Sequence, residues 1–252
     1  MSKTIDKGIL VLSTFTVDRP RLTFEELSKL TQMPSSTLYR FLNGLLRSGY
    51  LVKDPSTLSY GLGPGVLRLG RVAEAALDVR SAAIPWMDRL RDETGETIYL
   101  SVRMGASRLC LESREREGRG IKFSIRAGET SPIYAGASGK VLLAYLPDKE
   151  AHRILGQAKL EKLTPHTVTD RRAIIRELAL IRSRGYHYTE AEYNPGAWGL
   201  AAPILNTPGI AAASFSISGP LYAGARKPAV DRLLSLLRAA TRDISRRLGY
   251  TA

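Results

Sequence analysis

Apolar residues recur at helical spacing through the first third of the chain, with one short strand-like interruption. Ile5, Ile9, Leu12 and Phe15, broadened by Leu10 and Val11, predict a first helix that covers the back of the next two. Thr23-Phe24-Glu25-Glu26 fits a capping box, in which the Thr23 hydroxyl and the Glu26 carboxylate each satisfy an orphan backbone donor. Leu27 and Leu30 continue that second helix until Gln32-Met33. Pro34 suits the first turn of a third, where its missing N–H costs nothing. Leu38, Phe41, Leu42, Leu45 and Leu46 then form one stripe that ends at Gly49. Tyr50-Leu51-Val52 and Leu58-Ser59-Tyr60-Gly61 flank Asp54-Pro55-Ser56-Thr57 and read as a hairpin. Residues 61–65 read as a glycine hinge. Residues 66–79 read as a linker helix packed through Leu67, Leu69, Gly70, Ala73, Ala76 and Leu77.

From Arg80 the pattern mixes helices with alternating strands. Val79, Ala82, Ala83, Trp86, Met87 and Leu90 line a helix ending near Gly95. Residues 97–103, 108–113 and 121–126 alternate as half-buried strands. Helices are predicted over 140–146 and 171–184, with Ile174, Ile175, Leu178 and Ile181 inward in the second. A strand begins at Tyr186, and 200–205 and 210–218 pair around Asn206-Thr207-Pro208-Gly209. Val230, Leu233, Leu234, Leu237, Ile244 and Leu248 close the chain as an amphipathic helix. This predicts an α+β chain in three parts: a winged helix-turn-helix domain over 1–65, a linker helix over 66–79 and a second domain over 80–252.

The third helix carries the functional reading. Opposite its apolar stripe it presents Ser35, Ser36, Thr37, Tyr39, Arg40 and Asn43. Hydrogen-bonding groups near a helix N-terminus, with an apolar back docked on a neighbour, suit a major groove. Ser36, Thr37, Arg40 and Asn43 are the candidates for base edges; Ser35, Tyr39 and the wing Lys53 are those for phosphates. The plainer alternative is a helical packing unit with no nucleic-acid partner.

Charge and composition change the picture little. The formal net charge of +13 favours polyanions, but the basic excess is largest in residues 131–252, far from the third helix. No apolar run approaches a membrane span, so no membrane partner is expected. The N-terminus lacks the apolar core of a signal peptide, and the lone Cys110 reads as a buried small hydrophobe, so a reducing cytoplasm is expected. His152, His166 and His187 are scattered without metal-ligand spacing, and no Gly-x-Ser-x-Gly elbow occurs. No enzyme, catalytic residue, metal or cofactor is therefore expected. Neither 61–65 nor 136–140 has the spacing of a nucleotide-binding loop. A small-molecule enzyme and a sensor module without DNA affinity are the alternatives weighed.

One further locus has the makings of a ligand site. Gly136 to Gly139 permits a close backbone approach, and the following helix would aim its N–H groups at an anion. Ser216 and Ser218, two apart on one strand, face one side and can hold a carboxylate or hydroxyl.

Tyr134-Ala-Gly-Ala-Ser-Gly-Lys140 with Val141-Leu-Leu-Ala144, Gly196-Ala-Trp-Gly-Leu-Ala-Ala-Pro-Ile204 and Ser214-Phe-Ser-Ile-Ser-Gly-Pro220 resemble, in order, landmarks of IclR-family transcriptional regulators. Lys7 to Leu12 and the helix from Leu38 match as well. The resemblance implies a winged helix-turn-helix, a linker helix and a GAF-like effector domain with an antiparallel sheet. It implies a dimer or tetramer on an imperfect palindrome of duplex DNA, repressing or activating a catabolic operon. It places Ala137, Ser138, Thr189, Gly199, Ser216 and Ser218 around a small-molecule effector. Glu190 and Glu192 lie beside that pocket, and Trp198 and Tyr193 hint at a larger, aromatic ligand than a small keto acid. A carboxylate or an aromatic metabolite is the effector expected.

Overall fold

The structure is a computed structural model that describes residues 3–16, 18–75, 78–115, 125–207, 210–221 and 229–250. It divides into two compact units, Met1–Leu77 and Asp78–Ala252.

The first unit holds three helices, α1 (Lys3–Leu12), α2 (Phe24–Thr31) and α3 (Ser35–Arg47). Three short strands, β1 (Arg21–Leu22), β2 (Leu51–Lys53) and β3 (Tyr60–Leu62), form an antiparallel wing in the order β1-β3-β2, and α4 (Pro64–Ala75) follows. Both halves of the capping box form: the Thr23 N–H donates to Glu26 Oε2 at 2.8 Å, and the Glu26 N–H to Thr23 Oγ1 at 3.3 Å. Val11, Phe15, Leu22, Leu27, Leu38, Leu42 and Leu51 make the core.

Three expectations are corrected in this unit. The buried face of α1 is Val11 with Phe15, whereas Ile5, Ile9 and Leu10 are exposed. Val11 and Phe15 pack into the cluster of Leu27, Leu38 and Leu42, and the Phe41 ring lies 3.8 Å from where a Cβ on Gly8 would stand, so the Gly8 flank faces α3. On α2 the buried residues are Leu27 and Thr31, one turn apart, while Leu30 faces solvent. Residues 61–65 are a staple and not a hinge. The Gly63 N–H donates to Tyr50 O at 2.8 Å and the Gly65 N–H to Gly49 O at 2.9 Å, so a Cβ on Gly63 would stand 2.4 Å from Gly49 O. Strand β1 was not anticipated: two residues are too few to show a period.

The linker reading also changes. Pro64 opens α4 two residues before the expected start, and α5 (Asp78–Thr94) takes up Val79. Ala76 and Leu77 lie outside the described residues. Leu67, Leu69 and Gly70, expected to pack, are exposed in the single chain.

The second unit is built on a six-stranded antiparallel sheet in the order β6-β5-β4-β9-β8-β7. Its strands are β4 (Thr97–Met104), β5 (Ser107–Arg114), β6 (Thr130–Pro132), β7 (His187–Glu190), β8 (Ala197–Thr207) and β9 (Ile210–Pro220). The expected strand at 121–126 lies mostly outside the described residues. α5 and α9 (Val230–Arg247) pack on one sheet face through Met87, Leu90, Leu237 and Ile244 against Leu100, Leu200, Phe215 and Ile217. α6 (Ala137–Ala144) is buried along its whole length beside α7 (Asp148–Gln157) and α8 (Arg171–Arg184). Asp170 caps α8 by accepting from the Ala173 N–H, and Gly185 ends it at φ +76. The fold class is α+β, as the pattern predicted.

Candidate DNA-binding face and effector cavity

On α3, Leu38 and Leu42 are buried while Ser35, Ser36, Tyr39 and Arg40 are exposed and Thr37 and Asn43 half-buried. Every candidate of the reading helix is therefore reachable from solvent. Ser35, Ser36 and Thr37 occupy the first turn, which no side chain caps. Lys53 lies exposed on the wing with its Nζ 5.2 Å from the centre of the Tyr60 ring, which orders the cation without neutralising it. The wing turn is fixed by Asp54, whose Oδ1 accepts from the Ser56 N–H at 2.9 Å and the Ser56 hydroxyl at 2.6 Å. Those bonds hold its carboxyl below the usual carboxylate range.

In the second unit a cavity of about 60 Å³ lies at the N-terminus of α6 against the sheet. Gly136, at φ +79, turns the chain into the helix, and Gly139 sits so close to Ile133 O that a Cβ would be 2.3 Å away. On β9 the alternation puts Ser214, Ser216 and Ser218 on the α6 side, opposite the core residues Phe215 and Ile217. Ser138 Oγ and Ser214 Oγ share a hydrogen bond of 3.0 Å that fastens the helix to the sheet. The Ser218 hydroxyl donates to Trp198 O at 2.6 Å, which leaves its lone pairs as acceptors. Gly199 faces Ala137, so two small side chains keep this corner open.

Ala137, Ser138, Thr189, Trp198, Gly199, Ser216 and Ser218 all line the cavity; Glu190 does not. Glu190 is exposed and accepts from the Tyr188 hydroxyl at 2.6 Å, on the face of β7 opposite Thr189. The carboxylate on the wall is Glu192. Ala191, at φ +53, breaks the alternation after β7 and swings the next side chain inward. Glu192 Oε2 accepts from the Gly136 N–H at 3.2 Å, and its other oxygen meets the buried Lys140 ammonium, which also binds Glu177. Burial raises the Glu192 carboxyl above the usual carboxylate range despite Lys140. Thr164 and Thr167 hold this segment by donating to Ala191 O and Glu192 O, each at 2.7 Å.

Tyr99, Arg108 and Asn194 also line the cavity and were not anticipated. Arg108 left a readable trace. The buried phase of β5 is 108, 110, 112, so an arginine stands where a core residue belongs. Cys110 keeps that phase as a buried thiol whose pKa burial pushes up to about 11. Trp198 is sealed to 2 % exposure and tilts against Tyr188 at 6.3 Å, so it belongs to the core as well as to the wall.

The histidines are placed away from this chemistry. His152 and His166 are exposed, and His187 is not on the wall. Burial, with Lys140 and Arg184 nearby, pushes His187 down to about 4, so the folded state holds it neutral. A depressed histidine contributes stability that is present above the unfolded value of 6.5 and lost as pH falls toward 4. The contribution is at most about 3 kcal/mol, less for the solvent the ring retains. His187→Phe should therefore lose less melting temperature than the wild type between about pH 7 and about pH 5. Parallel losses would show that the ring is not the group titrating.

Among the described residues no cluster of His, Cys, Asp or Glu could hold a metal, and no helix is long and apolar enough to cross a membrane. Residues 4–55 match the IclR helix-turn-helix domain and residues 73–246 the C-terminal domain of bacterial IclR transcriptional regulators. The HTH-type transcriptional regulator KipR of Bacillus subtilis is 31% identical, over 99% of this chain and 98% of its own. The HTH-type transcriptional repressor AllR of Escherichia coli K12 is 28% identical, over 100% and 92%. An IclR homolog of Microbacterium hydrocarbonoxydans, solved in complex with 4-hydroxybenzoate, superposes with a TM-score of 0.83 at 28% identity, covering 99% of this chain and all of that one. These kinships are to regulators and not to enzymes. The chain belongs to the IclR family, DNA-binding transcriptional regulators with a C-terminal effector-binding domain.

Proposed function

We propose that residues 1–65 read an imperfect palindrome upstream of a catabolic operon and that residues 80–252 sense a small organic acid or aromatic metabolite of that pathway, with 66–79 linking the two. The protein acts in the cytoplasm as a homodimer or homotetramer. Two copies of α3 enter successive major grooves about 34 Å apart. Ser36, Thr37, Arg40 and Asn43 contact base edges; Ser35, Tyr39 and Lys53 hold phosphates. The observation that carries this reading is the division of α3 into a buried apolar back and an exposed polar first turn. Self-association is supported by exposed Ile5, Ile9 and Leu10 on α1 and Leu67, Leu69 and Val72 on α4, apolar surface that a partner copy would remove from water.

The effector occupies the cavity at the start of α6. Its size favours a compact ligand, and an aromatic one requires the walls to give. Binding biases the arrangement of the DNA-reading units only by as much as the ligand prefers one arrangement over the other.

The test is a pair of variants measured by fluorescence anisotropy on a duplex selected from a random pool. Arg40→Ala should relax specificity at one symmetric pair of positions by about 1–3 kcal/mol. Lys53→Ala should weaken all sequences alike and flatten the salt dependence. Unchanged specificity in the first variant would remove Arg40 from the reading set.

A further inference from the structure

Among the described residues Arg108 is a buried cation without a counter-charge. The residue is 8 % exposed on the cavity wall. Its Nε donates to Ser131 Oγ at 2.7 Å and its plane lies 5.4 Å from the centre of the Tyr193 ring. Among the described residues no carboxylate pairs with it; Glu192, the acid on the same wall, is committed to Lys140. Its terminal nitrogens have no partner there either. Burial lowers its pKa, with only Tyr193, Cys110 and Tyr99 to offset the loss of water. Ser216, 4 % exposed on the same wall, likewise carries a hydroxyl without a partner among the described residues. An ion held this way is costly unless something completes it.

We propose that Arg108 anchors the effector by its carboxylate, with the free fork of guanidinium N–H groups gripping the planar acid and the Ser216 hydroxyl donating beside it. This rests on the assignment of the cavity as the effector site, and narrows the ligand from an acid or a neutral aromatic to an anion. Arginine suits the task because its fork matches a carboxylate in two bonds and stays charged when dried. The first turn of α6, which opens at Ala137 after Gly136, lies on the same wall and favours the same sign of charge.

The experiment is a calorimetric and thermal-shift panel of aliphatic and aromatic acids, acetate, pyruvate, benzoate and 4-hydroxybenzoate among them, each beside its primary amide. The proteins are full-length wild type, Arg108→Met, Arg108→Lys and Ala137→Trp, the last filling the cavity. An acid should bind the wild type, its amide should not, and Arg108→Met should weaken it on the order of 100-fold, with Arg108→Lys between. Without ligand, Arg108→Met should melt no lower than wild type, since it removes an uncompensated charge; an arginine kept only for structure would lower the melting point when lost. Amides that bind as well as acids, a panel on which no acid binds, or an acid indifferent to Arg108→Met but lost in Ala137→Trp, overturns the anchor; the last leaves the cavity standing as the site. Binding that survives Ala137→Trp instead overturns the cavity assignment and the anchor with it.

Discussion

Replacing Lys140 by alanine is expected to destabilise the C-terminal unit by about 3–5 kcal/mol, the cost of stranding a buried charge. The Lys140 side chain is 1 % exposed and meets Glu192, itself 5 % exposed, and Glu177 on α8. Removing the ammonium leaves Glu192 in a dry wall with only the Gly136 N–H. Its carboxyl, already raised by burial, rises further, so the folded state holds a proton that the unfolded chain releases. A raised pKa contributes stability at low pH that is lost as pH rises, so the penalty should be larger near neutrality than near pH 4.5. Chemical denaturation measures it. Lys140→Met with Glu192→Gln removes both charges and should recover most of the loss, because the damage lies in the unpaired ion and not in the missing bridge. A double variant as unstable as Lys140→Ala would show that the stranded carboxylate is not the source of the loss.

Ser216→Ala with Ser218→Ala should abolish the effector response while operator binding persists. Both hydroxyls lie on the cavity wall, and neither contributes to the core of the DNA-reading unit. A hydrogen bond to a charged group is worth about 1.5–3 kcal/mol and a neutral one about 0.5–1.5, so a Ser216 bond to a carboxylate and a bond that Ser218 accepts from an effector hydroxyl together amount to on the order of 10–10³-fold in affinity. Ser138 is left in place because its bond to Ser214 ties α6 to the sheet, and its loss would confuse binding with folding. A double variant that still answers the effector at wild-type concentrations would remove this wall from the site.

The DNA-reading unit was legible because its signals are local. A capping box, a proline at a helix start and a single apolar stripe each act over one or two turns, and α2 and α3 follow from them. What failed there depends on neighbours: which flank of α1 turns inward is decided by its packing on the cluster around Leu27, Leu38 and Leu42, and the glycines at 63 and 65 answer to the backbone of Gly49. In the cavity, the two-residue alternation of β9 placed Ser216 and Ser218 correctly. Glu190, expected beside the pocket with Glu192, is turned to solvent by the plain alternation from Thr189, whereas the left-handed Ala191 resets the chain and brings Glu192 onto the wall. Arg108 was within reach of the same rule, since a buried Cys110 already sets the phase 108, 110, 112 of β5 as inward. The exposed apolar residues of α4 read as packing positions for a related reason, since periodicity reports that a face is apolar and not what covers it.

The central claim is that α3 and the wing, and not the more basic C-terminal unit, meet the duplex. Hydrogen–deuterium exchange of the full chain with and without a selected duplex separates these at the level of peptides. Slowed exchange over the start of α3 and the β2–β3 wing, with α9 and its arginines unchanged, is the expected result. Protection confined to the arginine-rich α8 and α9, with the peptide carrying Ser35 to Asn43 exchanging as freely as in the absence of DNA, would contradict it.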